Sequence, residues 1–98
     1  MGATPLTQLG AELRPIARER IANGQLPCVV STRMWGGLGT GKLCDLCDKE
    51  IRPDEAEIEV EGPANRGEIR TLLFHVVCQS VWQLECARAD RLKRHPKR

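Results

Sequence analysis

Cys44-Asp45-Leu46-Cys47, answered some thirty residues later by His75-Val76-Val77-Cys78, decides how this 98-residue chain is read. Two residues between the first pair of thiols let a tight turn aim both sulfurs at one point. The second pair, three residues apart, shares a face if it opens a helix. Three thiolates and one imidazole are a donor set that tetrahedral Zn²⁺ accepts, and four protein donors close the metal to substrate. The spacing therefore predicts one structural zinc ion on Cys44, Cys47, His75 and Cys78. Either remaining cysteine, Cys28 or Cys86, is an alternative to His75 as the fourth ligand; otherwise both are expected as buried free thiols. Lys42, Lys49 and Arg52 flank the site and are placed to offset the excess negative charge of three thiolates.

Composition explains why such a staple is needed. A chain of this length builds one small core, and three aromatic residues (Trp35, Phe74 and Trp82) make that core thin, a deficit that a structural metal commonly remedies. The net charge of +2 points to no partner, but its distribution is uneven. Residues 48–61 carry seven acids against Lys49 and Arg52, whereas 88–98 carry six basic residues against Asp90. No apolar run reaches the roughly 20 residues of a membrane span, and residues 1–27 lack the blocks of a secretory signal, so a cytoplasmic protein is expected. In a reducing compartment, five cysteines favour metal over disulfides.

Outward from the cysteines, the elements follow from period and punctuation. Pro15 is expected to interrupt a first short turn through Leu9 and Leu13 and to open a helix over 15–23, closed by Gly24. Its buried stripe is Leu13, Ile16, Ala17 and Ile21, leaving Arg14, Arg18 and Arg20 mostly solvated. The apolar run 27–30 reads as a strand or an extended crossing segment. Residues 36–42, Gly-Gly-Leu-Gly-Thr-Gly-Lys, imitate a phosphate-binding loop. However, Leu43 stands where the magnesium-binding hydroxyl belongs and a cysteine turn follows instead of a helix, so no nucleotide is expected and the glycines serve a tight approach to the metal site.

Strict alternation over 56–61 predicts a half-buried strand with Ala56, Ile58 and Val60 inside and Glu57, Glu59 and Glu61 on a solvated face. Residues 68–74 return as its hairpin partner after a longer loop. A long helix over 76–93 then packs Val77, Val81 and Leu84, with Cys78, Trp82, Cys86 and Ala89, over the hairpin. Trp82 is placed to shield the metal, and both tryptophans are assigned to the core. The expected fold is α+β: an N-terminal helical segment (1–27) packed on a zinc-binding hairpin-plus-helix domain (28–92), followed by a basic tail (93–98).

A cysteine turn, a β-hairpin and a helix whose first turn supplies the last two ligands resemble the treble-clef zinc finger, over residues 43–91. Cys-Asp-Leu-Cys-Asp-Lys-Glu-Ile, then Phe-His-Val-Val-Cys with Trp82 following, is also similar to small bacterial zinc-binding proteins with a CxxC…HxxC site. The resemblance implies a fold and a metal, carried here by Cys44, Cys47, His75 and Cys78, and no activity. A nuclease of this fold needs further histidines or carboxylates, and only His95 remains beside His75. LIM and RING adaptors need a second ligand set. No catalytic residue is therefore assigned.

Two roles remain: an adaptor or regulator docking on an unidentified protein partner, or a weak, sequence-independent nucleic-acid binder. The second would use Arg88, Arg91, Lys93, Arg94, Lys97 and Arg98 as successive phosphate contacts. The acidic strand opposes it, as does the lack of interleaved aromatic residues.

Overall fold

The structure, a computed structural model, describes residues 6–28, 33–63 and 69–94. Val29, Val30, His95, Lys97, Arg98 and residues 64–68 lie outside these residues. Leu13 and Ala17, one turn apart, are buried, with Ile21 partly buried below them. That stripe belongs to one continuous helix, α1 (Leu6–Ala22), which runs through Pro15. The interruption expected at Pro15 is therefore corrected. Pro15 lies on the exposed side of α1, and the packing of Leu13 and Ala17 on either side offsets the roughly 3 kcal/mol that an interior proline costs. Ile16 is exposed, not buried. Gly24 ends the helix with φ +85°, a left-handed conformation that glycine adopts without a Cβ penalty.

The sheet is three antiparallel strands in the order β1 (Arg33–Leu38), β2 (Ala56–Pro63), β3 (Ile69–His75). The hairpin β2–β3 lies where alternation put it, paired Val60 to Leu72 and Ile58 to Phe74. Of the run 27–30, residues 27 and 28 are not in a strand and 29 and 30 lie outside the described residues; the first described strand is 33–38, so Gly36, Gly37 and Leu38 are strand residues and not part of a loop. Trp35 is 47% exposed and is not a core residue. The alternation of β2 is also less complete than expected. Val60 is fully buried, but Glu57 is buried too, its Oε1 accepting from the backbone N and Oγ1 of Thr40 at 3.2 and 2.9 Å.

The second helix, α2 (Val76–Arg94), begins directly after β3 and lies along α1 as well as on β2 and β3. Cys78, Val81 and Trp82 are buried, whereas Leu84 is exposed. Trp82 stacks on Phe74 with ring centroids 5.1 Å apart, and its Nε1 donates to the Pro27 carbonyl at 2.9 Å. The same segment is tied to α2 by a disulfide between Cys28 and Cys86. Neither is the buried free thiol expected, and neither replaces His75 as a ligand. The expectation that the five cysteines favour metal over disulfides is thus corrected for these two. No described helix is long and apolar enough to cross a membrane.

Glu85 locks the two helices together. Its enclosed carboxylate accepts from Arg14 Nε at 2.8 Å and from Arg18 Nε at 3.0 Å and Nη2 at 3.3 Å. These arginines, expected to be mostly solvated, reach a buried partner while about half their side-chain surface stays in water. Hydrogen bonding from Arg18, then from Arg14, holds the Glu85 carboxyl below its usual value, against the opposing effect of burial. A carboxyl whose pKa is lower folded than unfolded stabilises the fold above its unfolded pKa, near 4.5, and loses that contribution as pH falls through the folded value. Glu85→Gln is therefore expected to cost about 1–2 kcal/mol at pH 7, the lower range for charged hydrogen bonds because the arginines are water-screened. The gap to the parent should close as pH falls below that range, as thermal unfolding from pH 7 to pH 3 would record.

Candidate metal centre

The first half of the site is built by a second, very short antiparallel pairing. Cys44 N donates to Lys49 O and Ile51 N to Lys42 O, with Leu43 bridged to Glu50. This pairing folds 44–48 into a knuckle, closed by Asp48 N donating to Cys44 O and by Asp48 itself at φ 63°. Asp is one of the few residues that tolerate this left-handed region. The glycines beforehand allow the approach. At Gly39 a Cβ would land on the Arg52 carbonyl oxygen, and Gly41 takes φ +82° while donating to Ile51 O. Leu46 and Ile51, both fully buried, seat the knuckle in the core.

The second half comes from the junction of β3 and α2. His75 ends the strand and Cys78 lies in the first turn of the helix. Asp45 holds the halves in register: its N–H donates to Leu73 O and its Oδ2 accepts from Leu73 N, each at 2.8 Å. The free edge of β3 is thus met by the knuckle. Burial pushes the Asp45 carboxyl up, opposed by the Leu73 N–H and by Arg70.

The donor atoms of Cys44, Cys47, His75 and Cys78 all lie within 4.8 Å of one another. His75 Nδ1 is 3.4 Å from Cys47 Sγ and 3.8 Å from Cys78 Sγ. A tetrahedron with metal–sulfur near 2.3 Å and metal–nitrogen near 2.1 Å has edges of about 3.5–3.8 Å; the two imidazole–sulfur distances lie close to that range, and the 4.8 Å span of the whole set is wider than such an edge, so binding an ion would draw the donors inward. The other ring nitrogen, Nε2, lies 3.1 Å from the Glu50 carbonyl and 3.6 Å from a Glu55 carboxylate oxygen. A proton on Nε2 donated to Glu50 leaves the Nδ1 lone pair directed at the sulfurs, the outer-shell arrangement that orients a ligating histidine.

The electrostatics of the sulfurs are those of a site that could take up a cation. The Cys44 thiol is lowered to about 4, first by the hydrogen bond from Cys78 and then by backbone N–H groups of Cys47, His75 and Leu46. Cys78 is pushed up as the donor of that pair, and burial raises Cys47. Three sulfurs this close cannot all be thiolates without a positive charge among them, which a divalent ion supplies. The protein adds Arg20, whose guanidinium pairs with Asp48 and donates to the Asp45 carbonyl at 3.1 Å. Its own pKa is raised first by Asp48, with Cys44 and Cys47 adding to the effect.

The sequence reading assigned charge compensation to Lys42, Lys49 and Arg52 and missed Arg20. Arg52 is paired instead with Asp54 at 3.4 Å. Nothing in the spacing of Arg20 flags it, because its partners are 25 and 28 residues away. Cys44 and Cys78 are buried. The Cys47 and His75 side borders a groove of about 880 Å³ that is also lined by Leu13, Val76 and Val77.

Of the basic residues expected to contact phosphates, Arg91 and Lys93 are exposed on α2, and Arg88 Nη1 lies 3.9 Å from Glu85. No family model, no curated protein and no solved structure matches this chain. The site is therefore read from its own geometry.

Proposed function

We propose that the four donors hold a single zinc ion with a structural role. In this reading the knuckle, the β2–β3 hairpin and α2 form a treble-clef-type module, and the module belongs to a regulatory or adaptor protein that docks on a larger protein partner. The observation that carries the reading is the donor set itself: three sulfurs and an oriented imidazole gathered within 4.8 Å of one another from three parts of the chain. A bound ion would supply a cross-link between knuckle, strand end and helix start, where the hydrophobic core is small. Four protein donors fill a tetrahedral shell and leave no position for an activated water, which favours a structural over a catalytic ion.

The adaptor reading is preferred to nucleic-acid binding because Arg88 is drawn to Glu85 and away from a phosphate-binding row. The deciding experiment is titration with a fluorescent duplex from low to physiological salt. The adaptor reading expects no binding at physiological salt and at most weak binding at the low end. Sub-micromolar affinity that falls steeply with salt, and that disappears on deleting residues 93–98, would replace it with the nucleic-acid reading.

A further inference from the structure

The two edges of the sheet are treated differently. Asp45 occupies the outer side of β3, whereas no described strand lies beyond β1. Every residue of β1 is exposed, including Met34 at 53%, Trp35 at 47% and Leu38 at 76%. Open edges are ordinarily blunted by charge, proline or a bulge. Within 34–38 there is no charged residue and no proline. Gly39 N donates to Glu55 O, so the alternation of an antiparallel ladder turns the N–H and C=O of Arg33, Trp35 and Gly37 toward β2. The same groups of Met34, Gly36 and Leu38 then point outward.

From this geometry we infer that β1 is a homodimerisation edge, pairing antiparallel with β1 of a second copy of this chain about a two-fold axis through Gly36. A two-fold normal to the sheet keeps each face on its own side, so residues of like parity oppose one another. With the axis at Gly36, Met34 faces the second copy's Leu38 and Gly36 faces its counterpart. All three outward-pointing residues of each copy then exchange both backbone bonds.

The side chains fit the same register. Met34 and Leu38, the two exposed apolar residues on the α2 face, meet twice across the axis. On the other face Trp35 lies over the second copy's Gly37, an aromatic covering a residue with no side chain. No like charges are opposed within the paired strip, so the neutral edge is complementary to itself.

The contact is isologous and closes at two copies, because the other edge of each sheet is already taken by Asp45. Two such strips bury on the order of 1,000 Å², the low end of specific interfaces.

Sedimentation of the full chain from low to several hundred micromolar tests this. A reversible monomer–dimer equilibrium is expected, with the Met34, Gly36 and Leu38 amides gaining hydrogen-exchange protection as concentration rises. Gly36→Pro removes a central outward N–H without touching the β2 ladder, and Leu38→Lys places a charge on the strip. Each should weaken dimerisation by at least about tenfold while leaving the circular dichroism unchanged. A chain that stays monomeric, one that forms larger or open-ended assemblies, or a dimer indifferent to both substitutions would overturn the inference. So would a monomer whose β1 amides are protected only by an extended peptide from another protein.

Discussion

Cys44→Ser and Cys78→Ser are each expected to yield a chain that binds no zinc at neutral pH and has lost most of its helical circular dichroism. The zinc reading makes this the largest effect available in the molecule. Structural zinc in small domains contributes about 10–16 kcal/mol of apparent binding free energy, and a preformed site does not exist in the unfolded chain, so that energy is folding energy. Domains of this size have only about 5–15 kcal/mol of net stability to lose. The local structure shows why the loss would spread. Leu46 and Ile51 are wholly buried by virtue of the knuckle, and Asp45 spans from it to the edge of β3. Without the metal, three sulfurs and the Arg20 ion pair lose the geometry that closes the core. A Cys44→Ser protein with parental ellipticity and a cooperative thermal transition would contradict this.

Reduction of the Cys28–Cys86 disulfide, or Cys86→Ser, should have the opposite pattern: full zinc content with reduced stability. The bridged residues are 58 apart in sequence. On the chain-entropy account, a loop of that length removes up to about 4 kcal/mol of unfolded-state freedom. Native contacts around the bridge should survive its loss, because Leu26 is buried and Trp82 Nε1 donates to the Pro27 carbonyl independently of the bridge. Thermal unfolding with and without reductant, run beside metal analysis, separates the two cross-links. Zinc loss from Cys86→Ser would mean that the ligand set is misassigned.

The parts of the molecule governed by short-range rules were legible in the sequence. Two residues between Cys44 and Cys47, alternation over 56–61 and the long period after His75 placed the donor set, the hairpin and α2 to within about two residues. What escaped was decided by contacts distant in sequence. Pro15 reads as a break, yet Leu13 and Ala17 hold the helix straight through it against α2. Arg14, Arg18 and Arg20 look like a solvated face until Glu85 and Asp48 arrive from elsewhere in the chain. Gly36 and Gly37 have poor strand propensity and belong to β1 because β2 offers them a ladder. Cys28 and Cys86 carry no spacing signal, and their union joins residues 58 apart in the chain.

Those long-range contacts also explain how the site is supported. Arg20 of α1 reaches the knuckle, while Glu85 of α2 holds α1 in place through Arg14 and Arg18. The helix expected merely to pack on the hairpin-plus-helix unit therefore also supports the candidate metal centre through Arg20. Loss of Glu85 is accordingly expected to lower stability without removing the ion, since none of the four donors belongs to that network.

X-ray absorption at the zinc edge of the purified 98-residue chain tests the closed four-donor zinc site most directly. One zinc per chain is expected, with three sulfurs near 2.3 Å and one nitrogen near 2.1 Å and no oxygen in the first shell. A shell with two or fewer sulfurs, or one completed by a water oxygen, would contradict the account.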